Sequence, residues 1–218
     1  MKKPVIGFFD SGIGGRSIEI EVKKLIPGVK TIYLADTKNF PYGEKTPPQI
    51  KKISYQNTKY LLDQGATLIV VACNTATVHS IKYLREKFPT TLFVGVEPAV
   101  KSAAKVSQKG IIILSSPRAT KSKNLLTLIK NYAKDINVFN LGSLELVMAV
   151  ENKLPDAEVN KILKKVLPQN ILKQSDVLVL GCTHFPLIKN KIRKYVGKNI
   201  AVVDSGKAVA RRVKMLLS

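Results

Sequence analysis

The sequence predicts an α/β protein of two similar lobes, each a mainly parallel sheet flanked by helices, facing each other across a cleft. Three observations predict it. Short apolar runs alternate with segments of helical period along the whole chain. Most of those runs are continuous rather than alternating, as strands covered on both faces require. The chain also echoes itself: Leu68-Ile-Val-Val-Ala-Cys73-Asn-Thr75 matches Val177-Leu-Val-Leu-Gly-Cys182-Thr-His184. Upstream, one apolar run ends in Asp10-Ser11 and another in Ser115-Ser116. Ser11 precedes Cys73 by 62 residues and Ser116 precedes Cys182 by 66, a nearly constant step that one duplicated lobe would produce.

The elements follow in order. Residues 4–9 form a first strand, and Ile18, Ile20, Val22 and Leu25 mark a helix stopped by Pro27-Gly28. Residues 31–34 form a second strand. A loop over 36–46 carries the turn formers Asn39, Pro41 and Gly43. Pro47 and Pro48 start a helix that runs to about residue 62, where Gly65 breaks it. A buried strand over 67–72 leads into a helix over 75–87. The second half repeats the scheme, with strands over 92–96, 110–114, 136–139, 177–180 and 200–203. Its helices cover 119–132, 144–152, 156–167 and 187–195. The first lobe is expected to hold residues 1–96 and about 188–218, and the second lobe residues 97–187.

Hydrophobic residues make up 45% of the 218 and charged residues 23%, the balance of an ordinary globular chain. No apolar run nears the roughly 20 residues that span a bilayer. Lys2 and Lys3 are followed only by the short run 4–9, less than a signal peptide needs, so a cytoplasmic location and no membrane partner are expected. The net charge of +21 raises the question of nucleic acid. Its lysines are dispersed, as at Lys51-Lys52, Lys121, Lys123 and Lys164-Lys165; there are six arginines and no aromatic–basic box of RNA-binding type. A solvated lysine surface is the reading that fits best; steering of an anionic small substrate and weak polyanion binding are the alternatives, and nucleic acid is not expected as a partner.

Only two cysteines occur, so a disulfide framework is not expected. Each follows a predicted buried strand and precedes a predicted helix, and open parallel sheets bind ligands beyond the carboxyl ends of their strands. A helix N-terminus favours thiolate over thiol. A single such cysteine reads as a small buried hydrophobe. Two in matched places, flanked by Asn74, Thr75 and Thr183, read as chemistry. Inverting a Cα centre needs one group to remove a proton from one face and another to deliver it to the opposite face, and a thiolate–thiol pair does both. Other readings exist. Cys73, His79, Cys182 and His184 are potential zinc ligands, but their spacing matches no familiar pattern, and no metal is expected. Gly12-Ile13-Gly14-Gly15 has the look of a phosphate cradle without the full dinucleotide or P-loop fingerprint, and no cofactor is expected. Asp10 also suits a helix N-cap.

The motifs Phe9-Asp10-Ser11-Gly12-Ile13-Gly14-Gly15, Asp36-Thr37, Pro41-Tyr42-Gly43, Val71-Ala72-Cys73-Asn74-Thr75-Ala76 and Gly181-Cys182-Thr183-His184-Phe185-Pro186 resemble, in order, those of glutamate racemases. The resemblance runs from about residue 4 to 213. It implies two facing α/β lobes, cofactor-independent interconversion of L- and D-glutamate for peptidoglycan synthesis, and a homodimer as the assembly partner. It implies Cys73 and Cys182 as the acid/base pair, Asp10 assisting on the Cys73 side, and His184 with Glu151 on the Cys182 side. Ser11, Pro41, Tyr42, Gly43, Asn74, Thr75, Thr120 and Thr183 would hold the substrate. Aspartate racemases, which are relatives, tend to carry Glu where His184 stands, so the family comparison favours glutamate. The chain departs from the family at Ser143-Leu144, where Cys-Pro is usual, and at Val96-Glu97-Pro98, which is one residue short. Family members continue for a few dozen residues past the point matching Ser218. Two alternatives to the glutamate reading are a racemase of aspartate or another amino acid, and an inactive relative that binds polyanions through its basic surface.

Overall fold

A computed structural model describes residues 4–217. Lys2 and Lys3, on which the reading of the N-terminus rests, lie outside them. By internal contacts the chain divides into two units, residues 4–97 with 205–217 and residues 98–204.

The first unit runs β1 (Val5–Asp10), α1 (Arg16–Leu25), β2 (Lys30–Ala35), two 3-10 turns (Thr37–Asn39 and Tyr42–Glu44), α2 (Pro47–Asp63), β3 (Leu68–Val71), α3 (Asn74–Lys87) and β4 (Leu92–Gly95). Its four strands are all parallel, in the order β2-β1-β3-β4. The second unit runs α4 (Val100–Ala104), β5 (Ile111–Ser115), α5 (Pro117–Thr120), α6 (Lys123–Tyr132), β6 (Val138–Gly142), α7 (Leu144–Glu151), α8 (Asp156–Val166), α9 (Gln169–Leu172), β7 (Val177–Leu180), a 3-10 turn (Phe185–Ile188), α10 (Lys189–Val196) and β8 (Ala201–Val203). Its sheet is again parallel, in the order β6-β5-β7-β8. The internal echo is therefore topological: β1, β2, β3 and β4 correspond to β5, β6, β7 and β8. In each sheet the strand before the cysteine lies beside the strand that ends in Asp10 or Ser115.

Period-two burial shows why these runs are strands. Ile6 and Phe8 of β1, with Leu68 and Val70 of β3, face α1 and the last helix, α11 (Gly206–Leu217). Phe9, Ile69 and Val71 sit in the cluster of the opposite face, with Ile50, Ile53 and Leu61 of α2. The central strands β3, β5 and β7 are buried throughout, whereas β2 and β6 at the sheet edges are only part-covered. In the second unit Ile111, Ile113, Val177 and Val179 pack with Val100, Ala103 and Leu125.

Three differences from the sequence reading have identifiable causes. The helix expected over 119–132 is two helices, because the Ser122 hydroxyl accepts from the Leu125 N–H (3.2 Å) and starts α6 afresh. The helix expected over 187–195 is preceded by a 3-10 turn over Phe185–Ile188 containing Pro186. Residues 189–203, assigned from sequence to the first lobe, form α10 and β8 of the second unit, since β8 pairs with β7. Only α11 returns to the first unit. There Val209, Ala210 and Val213 join Ile18 and Val22, and each buried valine contributes about 1.5–3 kcal/mol. Among the described residues no helix is long and apolar enough to cross a membrane.

Candidate active site

In the first unit the site residues collect at the carboxyl end of β1 and β3. Register pairs Phe9 with Val71, and the Ala72 N–H donates to the Phe9 carbonyl at 2.9 Å, so Asp10 and Cys73 leave adjacent strands at the same level. Cys73 occupies the N-cap position of α3 in an extended conformation (φ −137°, ψ 124°), and its carbonyl accepts from the Thr77 N–H at 2.8 Å. The thiol stands at the positive end of a 14-residue helix, which stabilises a thiolate. Cys73, Asn74 and Thr75 are all buried. The Thr77 hydroxyl donates to the Val71 carbonyl and accepts from the Val96 N–H, both at 3.0 Å, and so ties the head of α3 to two strands.

Asp10 is fully buried, and its Oδ1 accepts from the Ser11 N–H at 2.5 Å and the Ser11 hydroxyl at 3.2 Å. The loop that follows is braced through Tyr33, whose hydroxyl donates to the Gly12 carbonyl at 2.8 Å. Burial, and then the charge of Asp10, push the Tyr33 hydroxyl far above the usual phenol range, so it stays a donor. Arg16 lies over the Tyr33 ring at 4.0 Å and pairs with Glu19, which also takes Lys23 and Thr31. Burial alone would raise the Glu19 carboxyl; hydrogen bonds from Lys23, Thr31 and Arg16 outweigh it and hold the group below the ordinary glutamate value.

Gly15 is the tight point of this arrangement. A Cβ there would stand 2.8 Å from Cβ of Ala72, 2.9 Å from the Ala72 carbonyl oxygen and 2.9 Å from Cβ of Asp10. The absence of a Cβ at Gly15 thus lets α1 start directly against both strand ends. Gly15→Ala is expected to displace Asp10 or the residue before Cys73. Displacements on the order of 1 Å cost about 10²-fold in rate, and overpacking costs about 1–3 kcal/mol. A steady-state assay beside a thermal melt checks both; unchanged kcat/KM would contradict the packing argument.

Pro41, Tyr42 and Gly43 form the turn before α2. Tyr42 is buried in the same cluster as Cys73. Its hydroxyl donates to Asp36 Oδ2 at 2.6 Å and accepts from Asn57 Nδ2 at 2.9 Å. Burial first, then the Asp36 hydrogen bond and the charges of Asp36, Cys73 and Asp10, drive that hydroxyl far above the usual range. It is committed to the protein's own interior.

In the second unit the corresponding strand ends carry a different set. The Gly181 N–H donates to the Leu114 carbonyl at 2.7 Å, which places Cys182 beside Ser115. Cys182 is part-exposed and precedes a 3-10 turn rather than an α-helix, contrary to the sequence expectation; Pro186 occupies that turn. The helix-end argument therefore does not carry over to Cys182. A side-chain relay stands in its place: Cys182 Sγ lies 3.7 Å from His184 Nδ1, and His184 Nε2 lies 2.7 Å from Glu151 Oε2. His184 and Thr183 are buried, and Glu151 is the last residue of α7. Ser143, in place of the family's usual cysteine, caps α7 by accepting from the Leu146 N–H at 3.0 Å, and its own N–H donates to the Ser115 carbonyl at 3.0 Å. Thr120 ends α5, where its hydroxyl donates to the Pro117 carbonyl at 2.7 Å.

The first unit thus gathers Asp10, Ser11, Tyr42, Cys73, Asn74 and Thr75, and the second gathers Glu151, Cys182, Thr183 and His184. Asp36, Asn57 and Tyr33 were missed as contributors from sequence. The signal for Asp36 was its place after a strand, within a motif already noted.

Known proteins match this arrangement over nearly the whole chain. The Asp/Glu/Hydantoin racemase family model matches residues 16–213. A glutamate racemase of Herpetosiphon aurantiacus is 40% identical, covering 100% of this chain and 86% of its own. One from Clostridium botulinum is 36% identical, over 99% of this chain and 84% of its own. The crystal structure of Escherichia coli glutamate racemase, in complex with L-glutamate and the activator UDP-MurNAc-Ala, aligns with TM-score 0.92 and 36% identity, covering 99% of this chain and 82% of that one. A family match spanning most of the chain, together with relatives of this identity, means that the chain belongs to the Asp/Glu/Hydantoin racemase family.

Proposed function

We propose that this protein interconverts L- and D-glutamate by two-base proton transfer at Cα, with Cys73 and Cys182 as the bases and no cofactor. The observation that carries the reading is topological. In each unit a cysteine follows the third strand by two residues, and each has its own polar setting: the α3 N-terminus for Cys73 and the His184–Glu151 pair for Cys182.

In one direction a thiolate takes the Cα proton. The C–H bond breaks, an S–H bond forms, and the electron pair passes to Cα and its carboxylate. The second thiol then donates its proton to the opposite face, forming the new C–H bond and leaving a thiolate. The sulfurs have exchanged protonation states, so the enzyme is poised for the reverse reaction. Polar donors meet the developing carboxylate charge: N–H groups at the start of α3 and the hydroxyls of Ser11, Thr75 and Thr183. Asp10 assists on the Cys73 side and His184 on the Cys182 side; Asn74, Thr120 and the Pro41–Gly43 turn complete the substrate contacts. The basic surface draws in the substrate, which is a net anion with two carboxylates and one ammonium group. Supply of D-glutamate for peptidoglycan is the role that follows from the family resemblance, and His184 in place of Glu speaks for glutamate over aspartate.

The test is isotopic. Incubated with L-glutamate in deuterated buffer, the protein is expected to give D-glutamate carrying deuterium at Cα, with aspartate turned over far more slowly. No Cα exchange in either glutamate enantiomer would end the reading, and faster exchange into aspartate would move it to the related substrate.

A further inference from the structure

The geometry points to Asp36, acting with Asn57, as a positioning residue for the substrate turn over residues 41–43, an inference that rests on the racemase reading above. Asp36 leaves the carboxyl end of β2, and its N–H donates to the Asp10 carbonyl at 2.9 Å. Its main chain is therefore fixed to the residue beside Cys73. The side chain is buried and accepts from three neutral donors on three separate pieces of chain. Asn39 Nδ2 lies 2.9 and 3.0 Å from its two oxygens, and on Oδ2 stand the Tyr42 hydroxyl at 2.6 Å and Asn57 Nδ2 at 3.2 Å. Asn57 also donates to the Tyr42 hydroxyl at 2.9 Å, so the phenol is held from both sides.

A carboxylate suits this place because it offers only acceptors, two oxygens with about four lone-pair directions. All three partners donate. An amide of the same shape would turn one NH₂ group toward a donor and leave a buried polar group unpaired. The turn that this clamp fixes packs against α3, and Tyr42 shares its cluster with Cys73 and Ala76 at the head of that helix. One carboxylate therefore sets the distance between the Asp10 main chain, the Tyr42-Gly43 backbone and the cysteine-bearing helix. It exchanges no proton with substrate, so its contribution is to substrate affinity.

Asp36→Asn is expected to raise KM for both L- and D-glutamate by about tenfold or more, the scale of a lost hydrogen bond to a charged group, while kcat falls by less than about threefold, as when binding common to ground and transition states is removed. Tyr42→Phe should move KM in the same direction, and the double variant should cost less than the sum of the two single effects, because the two groups share one bond. A purely structural role would lower the melting temperature and leave KM in place. Should Asp36→Asn fail to fold, Asn57→Ala removes one donor only and is expected to raise KM about threefold, on the scale of one neutral hydrogen bond. A folded variant with wild-type KM overturns the proposal. Wild-type protein without turnover in the same series instead overturns the racemase reading, and this proposal with it.

Discussion

Replacing Cys73 by alanine is expected to lower racemisation in both directions by about three orders of magnitude or more, and Cys182→Ala to do the same. A positioned acid or base contributes about 10²–10⁴-fold, and neither cysteine can stand in for the other, because each serves one face of Cα. The paired losses distinguish a two-base enzyme from one with a single essential thiol. The informative readout lies beneath the lost activity. With one thiol left, the enantiomer whose proton faces it can still lose and regain that proton on the same side. Each single variant should therefore exchange Cα hydrogen with deuterated solvent in one enantiomer only, without inversion, and the two variants should prefer opposite enantiomers. Serine at either position should not restore racemisation, since an alcohol is a far weaker acid than a thiol. Truncation at Cys73 removes one buried sulfur and leaves Thr77, Val71 and Val96 joined, so the fold should persist. Either single variant keeping wild-type racemisation would contradict the mechanism.

How much of this is legible in the sequence depends on the range of each interaction. The strands ending at Asp10, Val71, Ser115 and Leu180 were readable, because continuous apolar runs between turn residues have few alternatives in a doubly covered parallel sheet. The likeness of Cys73 and Cys182 was also readable, because a repeated strand-to-cysteine motif keeps its place when a lobe is duplicated. The break at Ser122 was not: helical periodicity continues across it, and only the Ser122–Leu125 hydrogen bond shows the restart. The allotment of residues 189–203 depends on β8 choosing β7, a pairing that no local pattern encodes. Helix α11 went unread, although Val209, Ala210 and Val213 make its buried stripe, because a terminal amphipathic segment does not name its partner. The Asp36–Asn57 contact joins residues 21 apart. Sequence showed an aspartate in a loop and an asparagine inside a helix; their meeting is a product of packing.

Glu151→Gln is expected to lower kcat by about 10²-fold, with KM for glutamate within about threefold of wild type, as when an interaction made only in the transition state is lost. A carboxylate only accepts, so at 2.7 Å it fixes the proton on His184 Nε2. In the neutral ring Nδ1 then presents its lone pair toward Cys182, 3.7 Å away, and can take the thiol proton; the resulting imidazolium keeps its Nδ1 proton toward the thiolate. Glutamine keeps the shape but can turn its NH₂ group to Nε2. The lone pair then faces the amide, the Nδ1 proton faces the sulfur, and the ring no longer accepts from the thiol. Glu145→Gln is a suitable control, since Glu145 forms a largely exposed pair with Lys165, of the kind that contributes about 0–1 kcal/mol, and should leave kcat unchanged. The decisive contrast is between faces. Deuterium exchange from the enantiomer served by Cys182 should slow with the glutamine variant far more than exchange from the one served by Cys73, which stands at the N-terminus of α3 instead. Equal slowing of both would mean that Glu151 supports the fold of its unit rather than the chemistry of one sulfur.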